Sequence, residues 1–434
     1  MSGLALGLDL GSSGLRLALL AADGRRSEQA IPYPGDFADP DSWRQGLINL
    51  CQALPAGDRR QVAAIAVDGT SGTLLLCRPD GTAPGPRFRR ALAYHQACPG
   101  HAPAAQEIAG GAGPAASPTG SLARALQLLD WARADGLGEP LLLRHQADWL
   151  MGWLLGHWQL GEEANNLRLG WDPGAGAWKG QIGRQPWCGA LPTIVSSGAV
   201  VGQLGQAAAA CLGLPAECRV VAGSTDASAA VLAADPQPGD GITVLGTTLV
   251  LKQFSPVPLE GPGLSCQRLD GRWLVGGASN AGGGVLRLFF DEAMLRELSR
   301  QIDPENDSGL DLHPLPRAGE RFPVDDPALQ PVLEPRPVSD ALYLHGLLEG
   351  LARIERQGWQ RLQALGAPPV ERVISIGGGA VNPQWRRLRE RMLGVPVLNR
   401  PRRTAALGMA QLALQALDGM DGACRMGSDP SLPA

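Results

Sequence analysis

Residues 4–20 read LALGLDLGSSGLRLALL. Leu4, Leu6 and Leu8 alternate with small residues up to Asp9, Gly11-Ser12-Ser13-Gly14 supplies turn residues, and Leu15, Leu17 and Leu19 resume the alternation. A period of two on both sides of a glycine turn predicts a β-hairpin. A dinucleotide-binding unit would need a helix to open after the glycines, whereas a strand opens here. The pattern returns at 241–252 as GITVLGTTLVLK, so that Leu10-Gly11-Ser12-Ser13 aligns with Leu245-Gly246-Thr247-Thr248. Two such hairpins read either as chance similarity or as an internal duplication, with two related domains facing each other across a cleft. Duplication is the working expectation.

The chain has 434 residues, which suggests two or three domains, and 44% of them are hydrophobic, enough to bury a sizeable core. Disorder over the whole length is excluded. Lys+Arg 38 against Asp+Glu 42 leaves a net charge of −4, with no basic footprint for a nucleic acid. Only Lys179 and Lys252 are lysines, and neither follows the glycine of a G-x-x-x-x-G-K-[ST] loop, so a Walker-type NTPase is excluded. The 8 cysteines show neither C-x-x-C nor zinc spacing with histidine and read as buried reduced thiols. Asp9 interrupts the apolar N-terminal stretch, so it is neither a signal segment nor a membrane span. The expectation is a soluble cytoplasmic protein with no membrane or nucleic-acid partner.

Further along, Val62–Val67 predicts a strand ending in Asp68-Gly69-Thr70-Ser71-Gly72, and 100–120, dominated by Ala, Gly and Pro, predicts a loop. Ser121–Ala132 and Gln146–Trp158 predict helices. Seven prolines between Pro314 and Pro337 predict an extended excursion. Leu344 to Leu362 follow helical spacing with Gly366 as a stop. Arg372–Ile376 predicts a strand, Gly377-Gly378-Gly379 a turn, and Asn382-Pro383 the cap and first residue of a helix to about Leu393. A last helix from Thr404 to about Leu417 precedes a tail from Gly427 expected to be disordered. The fold class is α/β.

Three segments could carry chemistry. Asp9 stands at the mouth of a Gly-Ser-Ser-Gly turn whose N–H groups could form an anion cradle. It either caps its own turn or helps to hold Mg2+, which needs only one or two carboxylates beside phosphate and water. Gly246-Thr247-Thr248 would add a second set of donors, so two loops could grip a triphosphate without lysine. Asp226 ends the strand-like Val220–Thr225 and opens an alanine-rich helix, where the dipole would keep it ionised and ready to accept a hydroxyl proton; as an N-cap it would also have a structural reason to exist. Asp68–Gly72 could bind sugar hydroxyls or be a tight turn with locally satisfied side chains.

Taken together these segments resemble the FGGY carbohydrate kinases, which share the actin, sugar-kinase and heat-shock ATPase fold. DLGSSGLR at 9–16 looks like the first phosphate motif, LGTT at 245–248 the second, GSTDASAA at 223–230 the catalytic-Asp segment, and GGGAVN at 377–382 the adenosine motif. Within the family the likeness is to the small D-ribulose kinases of cyanobacteria and chloroplasts, through VDGTSGTLLLC at 67–77, QACP at 96–99, QADWL at 146–150, GGASN at 276–280, LEPRP at 333–337 and GLLEGL at 346–351.

The resemblance implies two actin-like (ribonuclease H-like) domains. Residues 1–234, joined by the helix at 404–420, would form the sugar and phosphate side, and 235–403 the nucleotide side. It implies an ATP- and Mg2+-dependent kinase, monomer or homodimer, that phosphorylates the terminal hydroxyl of a ketopentose. D-ribulose is the first expectation and D-xylulose the near alternative; a catalytically weak nucleotide-binding sensor of the same fold is the reading from another class. Asp226 would be the base, Asp9 would orient Mg2+, directly or through water, or the sugar terminus, and Ser71 and His95 would contact the sugar. Ser12, Ser13, Arg16, Gly246, Thr247 and Thr248 would surround the phosphates, and Gly378, Gly379 and Asn382 would hold the adenosine.

Four departures accompany the likeness. Tyr94-His95 replaces Tyr-Asn and GEEANNLRLG at 161–170 replaces a segment with Ser-Asp-Tyr, both expected to retune sugar choice. Arg403-Thr404-Ala405-Ala406 replaces Thr-Glu-Ala-Ala, and Val381 stands where lysine is common, both expected on the nucleotide side.

Overall fold

The computed structural model describes the backbone of residues 3–111 and 113–426 and the side chains as far as residue 417. The tail expected from Gly427 lies outside the described residues. The chain forms two compact units: one runs to Ala233 and takes in Arg268–Gly271 and the chain from Thr404, the other holds Ala234–Gln267 and Arg272–Arg403.

The first unit is built on a six-stranded sheet in the order Val200–Gln203, Arg219–Thr225, Val62–Gly69, Leu4–Gly11, Gly14–Leu20, Arg26–Ile31. Leu4–Gly11 and Gly14–Leu20 form the expected antiparallel hairpin, closing at Gly11 opposite Gly14. Leu4–Gly11, Val62–Gly69 and Arg219–Thr225 run parallel. These three strands are buried on both faces, which is why their residues are almost uniformly apolar or small. The helix Ala405–Met426 covers one face, and a Cβ on Gly7 would fall 2.0 Å from the Ala406 carbonyl, so only glycine admits that approach. Helices Pro40–Ala53 and Gln146–Leu155 pack on strands of the same sheet around Trp43, Leu47, Trp149 and Leu150.

The second unit repeats the scheme. Its sheet runs Leu264–Leu269, Arg272–Ser279, Leu249–Ser255, Asp240–Leu245, Arg372–Ile376, Val397–Asn399. Counting core strands along the chain, each sheet places third, second, first, fourth and fifth side by side, with the first, fourth and fifth parallel. That shared order is the duplication expected from the two hairpins. The helix Asp340–Ala364 buries Leu344, Leu347, Leu351 and Leu362 against this sheet, and Pro383–Leu393 opens as expected on Asn382, whose side chain accepts from Gln384 N and Trp385 N.

Several local expectations need correction. Within 100–120, Ala102–Ala109 is a helix ended by Gly110, because Ala, Gln and Glu outweigh the flanking glycines. The helix from Gln146 stops at Leu155, where Gly156 takes a left-handed C-cap, and Trp158 folds back so that its Nε1 donates to the Trp149 carbonyl at 2.9 Å. The proline-rich excursion is irregular as expected, yet it buries Leu315 and Phe322 in the second core. The final helix continues past Leu417 to Met426. Among the described cysteines none forms a disulfide, but Cys188 and Cys211 are exposed and Cys266 half-buried rather than buried.

Candidate functional site

In the first unit the parallel strands bring their carboxylates to one edge. Asp9 faces Asp68 in register, Asp68 faces Ser224, and Asp226 follows the third strand at once as the first residue of the helix Asp226–Ala233. Open parallel sheets present ligand sites at such carboxyl ends. Asp9 is 4% exposed; its Oδ2 receives Arg16 Nη1 at 3.0 Å, while Oδ1 is buried without a partner. Asp68 is wholly buried and neither of its oxygens has a partner. Burial, reinforced by the charges of Asp9 and Asp226, pushes the Asp68 carboxyl well above the usual range.

Asp226 is half-buried, and its Oδ1 accepts from Ala227 N at 2.7 Å. Burial pushes its carboxyl up to about 6, opposed by that N–H and assisted by Asp9. Desolvation outweighs the first-turn N–H, so the carboxyl lies above the ordinary aspartate value yet is mostly ionised at neutral pH. A carboxylate poised near 6 is better matched to accepting a proton at neutral pH than an ordinary aspartate.

Ser12 and Ser13 lie exposed at the hairpin tip beside Arg16. Below them a chain of hydrogen bonds connects the tip to the Asp68 turn. Tyr33 Oη donates to the Gly11 carbonyl at 2.8 Å, Gln146 Nε2 reaches Tyr33 Oη at 3.5 Å, and Gln146 Oε1 accepts from Thr70 N and Thr70 Oγ1 at 3.0 and 2.8 Å. Ser71, next in this turn, is half-buried; His95 is exposed, edge-on to Tyr94 at 5.1 Å between ring centres. Tyr94 N donates to Thr73 Oγ1 at 3.1 Å, joining the two turns.

The departure at 161–170 is a scaffold, not a surface. Glu162 accepts from Ala164 N, Asn165 N and Asn165 Nδ2, each at 2.9 Å, and Asn165 Nδ2 also donates to the Ser224 carbonyl at 3.2 Å. Burial raises the Glu162 carboxyl well above the usual range. Asn165 thus ties this segment to the strand that delivers Asp226, while Arg168 from the same segment comes close to Gly72, next to Ser71.

In the second unit a cavity of about 730 Å³ is lined by Gly246, Thr247, Gly378, Gly379 and Asn382 on one side and by Leu286, Leu295, Leu344 and Leu348 on another. Arg287, Arg296 and Arg300 stand on its wall. Thr248, the remaining residue of the second loop, is not among the lining residues. The Asn382 side chain accepts from Gln384 N and Trp385 N and donates one amide N–H to Ser299 Oγ at 2.8 Å, which fixes its place in the wall. Val381 lines the cavity at 69% exposure. Thr404 instead belongs to the first unit, bonded to Glu28 Oε2 at 2.6 Å.

Sequence reasoning took Asp68 only as part of a turn that could bind sugar hydroxyls, left Tyr33 and Gln146 without roles, and missed the leucines and arginines of the cavity. The signal for Asp68 was there: an acid at a strand end, like Asp9. As for a cation, the orphaned oxygens of Asp9 and Asp68 suit one. Among the described residues, however, no three His, Cys, Asp or Glu side chains are grouped to hold a metal alone, so water and phosphate oxygens would complete the shell. No helix among the described residues is long and apolar enough to cross a membrane.

Comparison with known proteins gives this geometry a context. Residues 241–417 match the family model described as the FGGY family of carbohydrate kinases, C-terminal domain. Solved structures with the same fold include a xylulose kinase from Rhodospirillum rubrum, 20% identical over 99% of this chain and 91% of that one with a TM-score of 0.75. They also include a "xyloylose kinase" from Brucella ovis, 21% identical over 96% and 91% with a TM-score of 0.75. A third is a glycerol kinase from Plasmodium falciparum with ADP, 15% identical over 98% and 92% with a TM-score of 0.76. At these identities the structures speak for the fold alone, and the family match is confined to residues 241–417, which are similar to the C-terminal domain of FGGY carbohydrate kinases.

Proposed function

We propose that the protein transfers the γ-phosphoryl group of ATP to the terminal hydroxyl of a ketopentose, D-ribulose, giving D-ribulose 5-phosphate and ADP. The observation that carries the reading is Asp226: a carboxyl pushed up to about 6, at the carboxyl edge of a parallel sheet, beside Asp9. The sugar hydroxyl oxygen forms the new bond to the γ-phosphorus, the bond from that phosphorus to the β,γ-bridging oxygen breaks, and the hydroxyl proton passes to an Asp226 oxygen. Asp9 holds Arg16 at the hairpin tip, where Ser12, Ser13 and Arg16 would meet phosphate oxygens. Mg2+, when bound, would supply charge neutralisation on those oxygens, and Asp9 would hold it directly or through water. The cavity at Gly246, Thr247, Gly378 and Gly379 would take the nucleotide, its leucines against the base. Phosphoryl transfer asks mainly for positioning and charge stabilisation, and these groups supply both.

D-ribulose rather than D-xylulose rests on the likeness at 67–77 and 146–150; two of the similar solved structures are described as xylulose kinases, which keeps D-xylulose as the second reading. The test is ADP release from Mg·ATP with D-ribulose, D-xylulose, L-ribulose, glycerol or no sugar. Preference for D-ribulose supports the proposal. Preference for D-xylulose or glycerol removes the substrate but keeps the kinase, and ATP binding without any sugar-stimulated release would favour a sensor.

A further inference from the structure

Arg124 is 0% exposed, one turn into the helix Ser121–Ala134, yet none of its bonds goes to a carboxylate. Nε donates to the Gln96 carbonyl at 2.9 Å, Nη1 to the Gly72 carbonyl at 2.9 Å, and Nη2 to the Tyr94 carbonyl. The guanidinium of Arg168 approaches the same place: a Cβ on Gly72 would lie 3.0 Å from Arg124 Nη1 and 3.5 Å from Arg168 Nε. Gly72 has φ +101°, so glycine is required there both by the backbone and by the arginine beside it. A buried cation beside a like charge is unfavourable, and an apolar side chain would fill this space at lower cost in stability. What the cation does that an apolar group could not is to grip three carbonyls of two separate turns. One turn carries Ser71; the other is Tyr94-His95-Gln96.

We propose that Arg124 is a positioning residue for the sugar, a clamp that fixes the Ser71 turn against the His95 turn. The inference rests on the sugar-site reading of Ser71 and His95 given above. Only a planar fork reaches three carbonyls at once; an ammonium is a point charge on a flexible stem. Arg124→Lys and Arg124→Gln are therefore expected to raise the sugar KM at least tenfold while kcat and the ATP KM stay within about twofold. Methylguanidinium is expected to bring the sugar KM of Arg124→Ala part of the way back. Combining Arg124→Lys with His95→Ala should raise KM by less than the product of the single effects, because both act through one turn.

A folded Arg124→Lys with an unchanged sugar KM would overturn the clamp, as would sugar and ATP KM rising together. Should the variants fail to fold, amide hydrogen exchange on the unmodified protein decides. Sugar should protect residues 70–73 and 93–96 together while ATP alone does not, and protection of only one turn, or of neither, overturns the clamp. Ser71→Ala and His95→Ala separate the two levels: if neither moves the sugar KM, the sugar-site reading beneath the clamp has failed; if they raise it and Arg124→Lys does not, the clamp alone has failed.

Discussion

The two sheets are copies of one scheme that treat buried polarity in opposite ways. Aligning Leu10 with Leu245 puts Asp9 opposite Asp68 in the first unit where the second has Val244 opposite Ile376. In the first copy the strand ends carry two facing carboxyl groups, and Asp9 Oδ1 and both oxygens of Asp68 lack hydrogen-bond partners. In the second copy one buried polar cluster, on the first and fourth strands and the helices beside them, satisfies itself. Arg389 Nε and Nη2 reach both oxygens of Glu355 at 2.6 Å, Arg389 Nη1 donates to Ser375 Oγ at 2.6 Å, and Thr243 Oγ1 donates to Glu355 at 2.6 Å. All four residues are 0% exposed. An unsatisfied buried carboxylate lowers stability and is kept where a ligand or a proton uses it; a satisfied ion pair is structure. The same fold thus holds an acid edge in one copy and a scaffold beside an apolar cavity in the other.

The sharpest way to break this contrast is in the second copy. Glu355→Ala leaves the Arg389 cation buried without its carboxylate and should lower stability by about 3–5 kcal/mol, read by denaturant or thermal unfolding. By contrast Asp68→Asn, which keeps the shape of a neutral carboxylic acid, should leave the melting temperature unchanged or higher; a loss matching that of Glu355→Ala would erase the distinction.

Next in size is the pH dependence. Asp226 accepts a proton only when ionised, and its folded value of about 6 places the acid limb there. The sugar-dependent kcat/KM should fall about tenfold for each pH unit below 6 and level off above it. A limb near 4, the ordinary aspartate value, would show that burial does not control this group.

A third effect concerns stability. Since Asp226 titrates higher folded than unfolded, its ionisation disfavours the fold. That penalty is full above pH 6, shrinks as pH falls, and is gone below the ordinary value near 3.8. Asp226→Asn should therefore gain on the order of 1–3 kcal/mol at pH 8 and nothing at pH 3.5, measured as the shift in melting temperature at each pH. The smallest effect belongs to the cavity: Val381→Lys should lower the ATP KM by about two- to fivefold, an exposed charge contributing about 0.2–1 kcal/mol, with the sugar KM unmoved.

Much of this was legible in the sequence because it is local. The two hairpins, the Asn382 cap and the strand delivering Asp226 depend on residues a few positions apart. The pairing of Asp9 with Asp68 is not local: it is set by the register between strands that only the folded sheet brings together. The value of Asp226 depends on burial, which the helix-terminus rule does not contain. The leucine side of the cavity draws Leu286, Leu295, Leu344 and Leu348 from three separate helices, and no periodicity marks them as one surface. The bond of Thr404 to Glu28 is equally non-local, and no pattern around either residue marks it.

The central claim is that transfer chemistry sits in the first copy and nucleotide binding in the second. It is tested most directly by measuring ATP affinity and sugar-dependent ADP release on the same preparations of the unmodified protein and Asp226→Ala. The account predicts an ATP Kd within about twofold for both and release slowed by about 10²–10⁴ in the variant. Near-normal release from Asp226→Ala, or loss of ATP binding along with release, would contradict it.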